Sequence, residues 1–133
     1  MKLLILFFIF TKLLFANNYE LKLYEQILPS IFKDEILIYT DSKSKELLEQ
    51  SKILQIVDSC NEANLLIGKS FEELDELCKQ TPYFATSYKS YKTNKKSFGA
   101  FYWRKGRPQL KFKKEVIEEL NLTLPDNLKK YVK

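Results

Sequence analysis

Short apolar segments that alternate with helical patterns restrict the fold of this chain more than any other feature. Helical spacing of apolar residues runs over 19–32, Ser42 begins a short helix to about residue 51, and a capping box at Ser70 and Glu73 predicts a helix to about Cys78. The β-rich segments are EILIYTD (35–41), ILQIV (53–57), ANLLIG (63–68) and PYFATSY (82–88). Helices that alternate with short buried strands predict an α/β sandwich.

The C-terminal part of the chain predicts a β-hairpin. Two β-rich segments, 98–103 and 109–113, flank RKGRP, whose glycine suits a tight turn. A cationic polar loop, 89–97, precedes the hairpin, and helices over 114–120 and 125–133 follow it. We therefore predict one α/β domain, with a short mixed sheet, helices, and a C-terminal hairpin followed by two helices.

The N-terminus has the pattern of a secretory signal peptide. Lys2 supplies a positive charge, an apolar stretch runs from Leu3 to Phe15, and Ala16 is a small residue at the expected cut. The uninterrupted apolar run is well short of the ~20 residues that span a bilayer. We predict a cleaved leader over 1–16 and a single periplasmic domain over 17–133. An exported protein rarely meets nucleic acid, so we expect no nucleic-acid partner.

Charge is distributed unevenly along the chain. The chain has 22 basic and 17 acidic residues, but residues 77–114 hold eleven basic residues and no acidic one. Such a segment is either a solvated basic face or a surface for an anionic partner, such as a lipid surface, a cell-wall polymer or an acidic protein patch.

The predicted hairpin joins this charge to three consecutive aromatic residues. Alternation along a strand places Phe101 and Trp103 on one face and Tyr102 on the other, so we expect at least one aromatic ring to stay accessible. Whether Trp103 faces the core or a partner is open at this point. The predicted partner-binding residues are Arg104, Lys105, Arg107, Tyr102, Trp103, Lys92, Lys95 and Lys96.

Residue types that support catalysis are scarce. The chain has no histidine, which removes the usual general base near neutral pH, and it has no glycine-rich phosphate loop. We therefore expect a protein that is not an enzyme and that has no cofactor and no metal site. The two cysteines, Cys60 and Cys78, are compatible with one disulfide in an oxidising compartment or with two buried free thiols.

Two stretches make the chain resemble the YfiR-like periplasmic family. They are CNEANLLIGKS (60–70) and residues 98–132, in which Gly99, Gly106, Lys111-Phe112, Leu122 and Leu128 fill the family's positions. The resemblance implies a non-enzymatic periplasmic α/β module that restrains an inner-membrane diguanylate cyclase through protein contact. That family often pairs the cysteine that matches Cys60 with one in the first strand. Leu37 and Ile38 stand there in this chain, so the resemblance leaves Cys78 as the partner.

A further pattern concerns modification. Residues 119–123 (ELNLT) resemble the acceptor sequence of bacterial periplasmic N-glycosylation, with Asn121 as the acceptor. Asparagine is also a natural residue at a helix C-terminus, so ordinary turn chemistry explains the same pattern.

The function that these patterns favour is a periplasmic protein-binding module. Its predicted partner is an envelope or inner-membrane protein, such as a diguanylate cyclase that it regulates. The alternative is a small accessory or scaffold subunit of a large envelope assembly, such as the periplasmic part of a flagellar motor. The sequence leaves the oligomeric state open.

Overall fold

A six-stranded mixed sheet organises the residues that the computed structural model describes, 18–71 and 74–133. The strands are β1 (Leu37–Thr40), β2 (Gln55–Ile56), β3 (Leu65–Gly68), β4 (Tyr83–Ala85), β5 (Ser97–Arg104) and β6 (Arg107–Phe112). Their order across the sheet is β2-β1-β3-β4-β5-β6. The first five are parallel, and β6 is antiparallel to β5. The predicted leader, 1–16, lies outside the described residues.

Four α-helices and three short 3₁₀ helices connect and cover these strands in the described part of the chain. The α-helices are α1 (18–31), α2 (Ser42–Leu48), α3 (Tyr88–Thr93) and α4 (Lys114–Glu119). The 3₁₀ helices are Cys60–Glu62, Cys78–Gln80 and Asp126–Tyr131. A mixed sheet with helices and a C-terminal hairpin confirms the predicted α/β class. The helix predicted to begin at Pro125 is present as the 3₁₀ helix Asp126–Tyr131, which Pro125 precedes.

The sheet has a hydrophobic core on each face. The larger core contains strand residues such as Phe84 and Phe101, which pack against Leu28 of α1, Leu48 of α2 and Val116 of α4. The smaller core lies on the other face and consists of Leu66, Tyr83, Ala85, Tyr91, Ala100 and Tyr102. Because helices and loops cover both faces, parallel strands such as β3 are buried along their whole length.

The hairpin that joins β5 and β6 turns through only two residues. Lys105 and Gly106 have φ angles of 51° and 76°, the left-handed pair that a two-residue hairpin loop requires. Glycine adopts this conformation without steric cost, while Lys105 is one of two non-glycine residues with positive φ in the described part of the chain. The predicted hairpin is confirmed, with its turn at the predicted glycine.

A disulfide joins Cys60 to Cys78 across 18 residues of sequence. It connects the 3₁₀ turn before β3 to the 3₁₀ turn before β4, on the side of the smaller core. Of the two alternatives that the sequence left open, the structure therefore has the disulfide and no free thiols.

Two local predictions were wrong. The segment predicted as a loop over 89–97 contains α3, because the Ser87 side chain caps its first turn and Tyr91 is buried beneath it. The helix predicted from Ser70 to Cys78 does not appear in its described residues, which form a turn and then the 3₁₀ helix Cys78–Gln80. There the disulfide and a hydrogen bond from Asn61 Nδ2 to Asp75 (3.2 Å) tie the chain to the preceding turn.

Candidate protein-binding surface

The end of the hairpin extends beyond the rest of the sheet. β4 pairs with β5 only as far as Ala100, whereas β5 and β6 stay paired to Arg104 and Arg107. The last four residues of β5 therefore have a strand neighbour on one side only. The two-residue turn lies at their end, and Gly106 has no other heavy atom near the position of a Cβ.

Three cationic side chains surround this turn. Arg104, Lys105 and Arg107 are all exposed, and none forms an ion pair within residues 18–71 and 74–133. Guanidinium groups can bind carboxylates or phosphates through two parallel hydrogen bonds. We call Trp103 together with these three residues the hairpin surface.

Trp103 is the accessible aromatic ring of the hairpin. Its side chain is 41% exposed and packs edge-on against the buried Phe101, with ring centroids 5.7 Å apart. The ring of Tyr19 in α1, itself 48% exposed, lies 6.1 Å away on the same face. The predicted alternation is confirmed, and Phe101 rather than Trp103 supplies the core contact.

Tyr102 lies on the opposite face and is buried, at 8% exposure. It packs near the ring of Tyr88, which is 44% exposed at the start of α3. Tyr102 therefore packs beneath Tyr88, and Tyr88 is the exposed ring on that face of the sheet. The sequence pattern could not single out Tyr19 or Tyr88, because both come close to the hairpin only through tertiary packing.

The predicted lysines do not lie together. Lys92 is close to the hairpin side of the molecule, with its Nζ 5.2 Å from the centroid of the Tyr88 ring. Lys95 and Lys96 precede the first residue of β5, so they lie at the other end of that strand, roughly 23 Å from the turn. Lys96 is also paired with Glu119 at 2.6 Å.

One acidic side chain lies beside the hairpin surface. Glu20 of α1 accepts a hydrogen bond from Tyr24 Oη at 3.2 Å. Burial raises the pKa of Glu20, and hydrogen bonds from Tyr24 and Trp103 oppose that rise. Glu20 therefore lies on the α1 side of Trp103, and the ring itself stays accessible.

Two grooves flank Trp103. A groove of about 400 Å³ is lined by Tyr88, Tyr102, Trp103 and Arg104 together with the residues that follow β4. A second groove, of about 280 Å³, runs from Trp103 and Phe101 towards α1 and α2. An exposed aromatic ring between two grooves, with cations at its rim, has the composition that protein interfaces favour.

The other predicted site residue, Asn121, follows Leu120, the residue that caps the C-terminus of α4. It is exposed and has a φ of 55°, and Leu122 N donates to Ile117 O at 3.0 Å to close the helix end. Asparagine tolerates this left-handed conformation, so turn chemistry accounts for the residue. The acceptor sequence lies on the surface, and its glycosylation stays a prediction.

Potential metal ligands come together at one place in the described residues. Cys60, Asp75 and Cys78 offer ligand atoms within 4.8 Å of one another. The two sulfur atoms are bonded to each other, so neither is available as a thiolate ligand in this form.

Neither a scan against protein-family models nor a search of curated proteins finds a match for this chain. The resemblance to the YfiR-like family therefore stays a prediction. Among residues 18–71 and 74–133, no helix combines the length and the apolar character needed to cross a bilayer.

Proposed function

We propose that this protein is a non-enzymatic binding module of the cell envelope that contacts a protein partner through the hairpin surface. The observation that carries the proposal is the half-exposed Trp103 ring between two grooves, at the end of a hairpin with three unpaired cations in the described structure. The ring supplies apolar contact area. The cations accelerate encounter with an acidic partner and orient it.

Export to the cell envelope is part of this proposal, and two features support it. A disulfide persists in oxidising compartments such as the periplasm, and the leader pattern over 1–16 provides the route there. Regulation of an inner-membrane signalling enzyme is the specific form of the proposal that the family resemblance implies.

The test is partner capture from solubilised envelopes by a variant with Arg104→Glu and Arg107→Glu. Both residues are exposed, so we expect an unchanged circular dichroism spectrum and melting temperature. Capture should fall most at low salt, where electrostatic attraction is least screened. The matched control is Lys33→Glu with Lys52→Glu, the same charge change at exposed residues elsewhere in the chain.

The captured proteins also separate regulation from a scaffold role. One membrane receptor in equal amount favours regulation, whereas a multi-protein assembly favours the accessory-subunit alternative. If the double arginine variant folds and captures its partner as well as the unaltered protein at low salt, the hairpin surface is not the binding surface.

A further inference from the structure

A second potential binding site lies at the carboxyl ends of β1 and β3. These two strands are neighbours in the sheet, but the chain leaves them in opposite directions, since β1 leads to β2 on one side and β3 leads to β4 on the other. Leu48 of α2 packs on the larger core after β1, whereas Phe71 packs on the smaller core after β3. In open α/β sheets, diverging connections of this kind leave a crevice in which ligands bind.

The crevice has a volume of about 540 Å³, and hydrogen bonds to Asp41 hold its sides in place. The carboxylate of Asp41, directly after β1, accepts from Ser44 N at 2.9 Å and from Lys69 N, directly after β3, at 2.7 Å. Gly68 permits this close approach, because a Cβ there would lie 2.8 Å from Asp41 Oδ2. Oδ2 of Asp41 therefore joins the two strand ends, and Oδ1 caps the first turn of α2.

Two cations line the crevice without acidic partners. Lys43 and Lys69 are both exposed, and neither forms an ion pair with any residue in 18–71 or 74–133. Asp41 is the acidic residue among those lining the cavity, and its oxygens already accept two backbone hydrogen bonds. With two lysines and one carboxylate, the residues that line the crevice have a net charge of +1, which favours an anionic ligand.

A buried hydroxyl group in the crevice wall has no partner. Thr40 lines the cavity and is only 8% exposed, and its Oγ1 makes no hydrogen bond to any described residue. Buried polar atoms that lack a partner are uncommon in folded proteins. Oγ1 itself has almost no solvent-accessible surface, so a ligand that enters the crevice does not reach it unless the wall rearranges.

The remaining wall is apolar and flat. The ring centroids of Tyr39 and Phe71 lie 5.6 Å apart with the ring planes 27° from parallel, and both residues are half-buried.

We propose that the crevice between β1 and β3 binds a small anionic ligand. Lys43 and Lys69 would hold its carboxylate or phosphate, and the Phe71 ring would contact its apolar part. This inference does not rest on the proposed partner binding, although Lys43 and Lys69 also line the smaller groove beside Trp103.

The test is a titration of the isotopically labelled protein with three probes that share one ring, followed by NMR. Phenyl phosphate and phenylacetate carry the two candidate anions, and benzyl alcohol is the neutral control. We expect saturable shifts of the amide signals of 40–43 and 69–71 with at least one anion at millimolar concentration, and none with benzyl alcohol. The anion that binds more tightly then shows whether the site prefers a phosphate or a carboxylate.

Variants then assign the contacts. Lys43→Ala with Lys69→Ala should weaken anion binding about ten-fold or more, the expected loss of a charge-assisted hydrogen bond. The matched control, Lys45→Ala with Lys52→Ala, should bind as tightly as the unaltered protein. Absence of saturable shifts with both anions, or equal affinity in the Lys43/Lys69 variant, would overturn the proposal.

Discussion

The hairpin surface and the crevice between β1 and β3 are both cationic, but they are built in different ways. Trp103, Arg104, Lys105 and Arg107 are adjacent along the chain and project from one turn. The crevice brings the loop after Thr40 against the loop after Gly68, and the hydrogen bond from Lys69 N to Asp41 connects residues 28 apart in sequence. A surface made by one local element tolerates side-chain replacement, whereas a crevice made by two distant loops depends on the bonds that hold the loops together.

The largest expected effect separates the buried ring of the hairpin from the exposed one. Phe101→Ala should lower the free energy of unfolding by about 3–5 kcal/mol, because Phe101 is 1% exposed within the larger core. Trp103→Ala should cost only about 1 kcal/mol and should weaken partner capture instead. Chemical denaturation and capture measured on both variants check this. Equal destabilisation by the two changes would show that Trp103 is a core residue.

The next effect concerns the loop between the two cysteines, which contains β3 and Lys69. Replacing both Cys60 and Cys78 by serine should lower the free energy of unfolding by about 3 kcal/mol, because the closed loop of 18 residues restricts the unfolded chain. Denaturation with and without reductant measures this, and reductant should not affect the double variant. Two free thiols counted in denatured, unreduced protein would contradict the disulfide.

Asp41→Ala should weaken the crevice and leave the hairpin surface intact. The change removes the cap of α2 and the bond to Lys69 N, so we expect a loss of about 1–3 kcal/mol in the free energy of unfolding. Partner capture should be unchanged. Asp58→Ala, at an exposed residue that forms no ion pair within 18–71 and 74–133, is the matched control and should have no measurable effect on stability. A loss of partner capture with Asp41→Ala would mean that the two regions are coupled.

The smallest effect appears at alkaline pH. Tyr83 Oη donates to Gly68 O at 2.6 Å, and burial raises the pKa of Tyr83 to about 12 from its usual 10. Between these values the unfolded chain loses the Tyr83 proton while the folded chain keeps it, so stability falls as pH rises above 10. Tyr83→Phe should make this fall shallower in denaturation curves across that range. Tyr19→Phe is the control, and an equal slope in both variants would contradict the assignment.

Much of the hairpin surface was predictable because its signals are local. The glycine of the turn, the alternation of the aromatic residues and the run of cations are all visible in consecutive residues. The exposed rings of Tyr19 and Tyr88 were missed because they reach the hairpin from α1 and α3. The grouping of Lys95 and Lys96 with the turn was misleading, because β5 separates residues that are close in sequence by its full length.

The helix predicted after Ser70 shows the limit of local patterns. A capping box favours a helix start, but the disulfide and the bond from Asn61 to Asp75 hold the described part of the segment in a 3₁₀ turn. Propensity contributes only tenths of a kcal/mol per residue, so tertiary contacts can override it. The opposite error at α3 has the same origin, since burial of Tyr91 stabilises a helix with little apolar periodicity.

The sequence by itself determined the α/β class and the hairpin, because the spacing of apolar residues and the turn chemistry act over a few neighbouring positions. Only the tertiary structure decided the strand order and paired Cys60 with Cys78. It also placed Lys43, Lys69 and the unpartnered Thr40 around one crevice. Such contacts join segments distant along the chain, and which segments meet depends on how both faces of the whole sheet are buried at once.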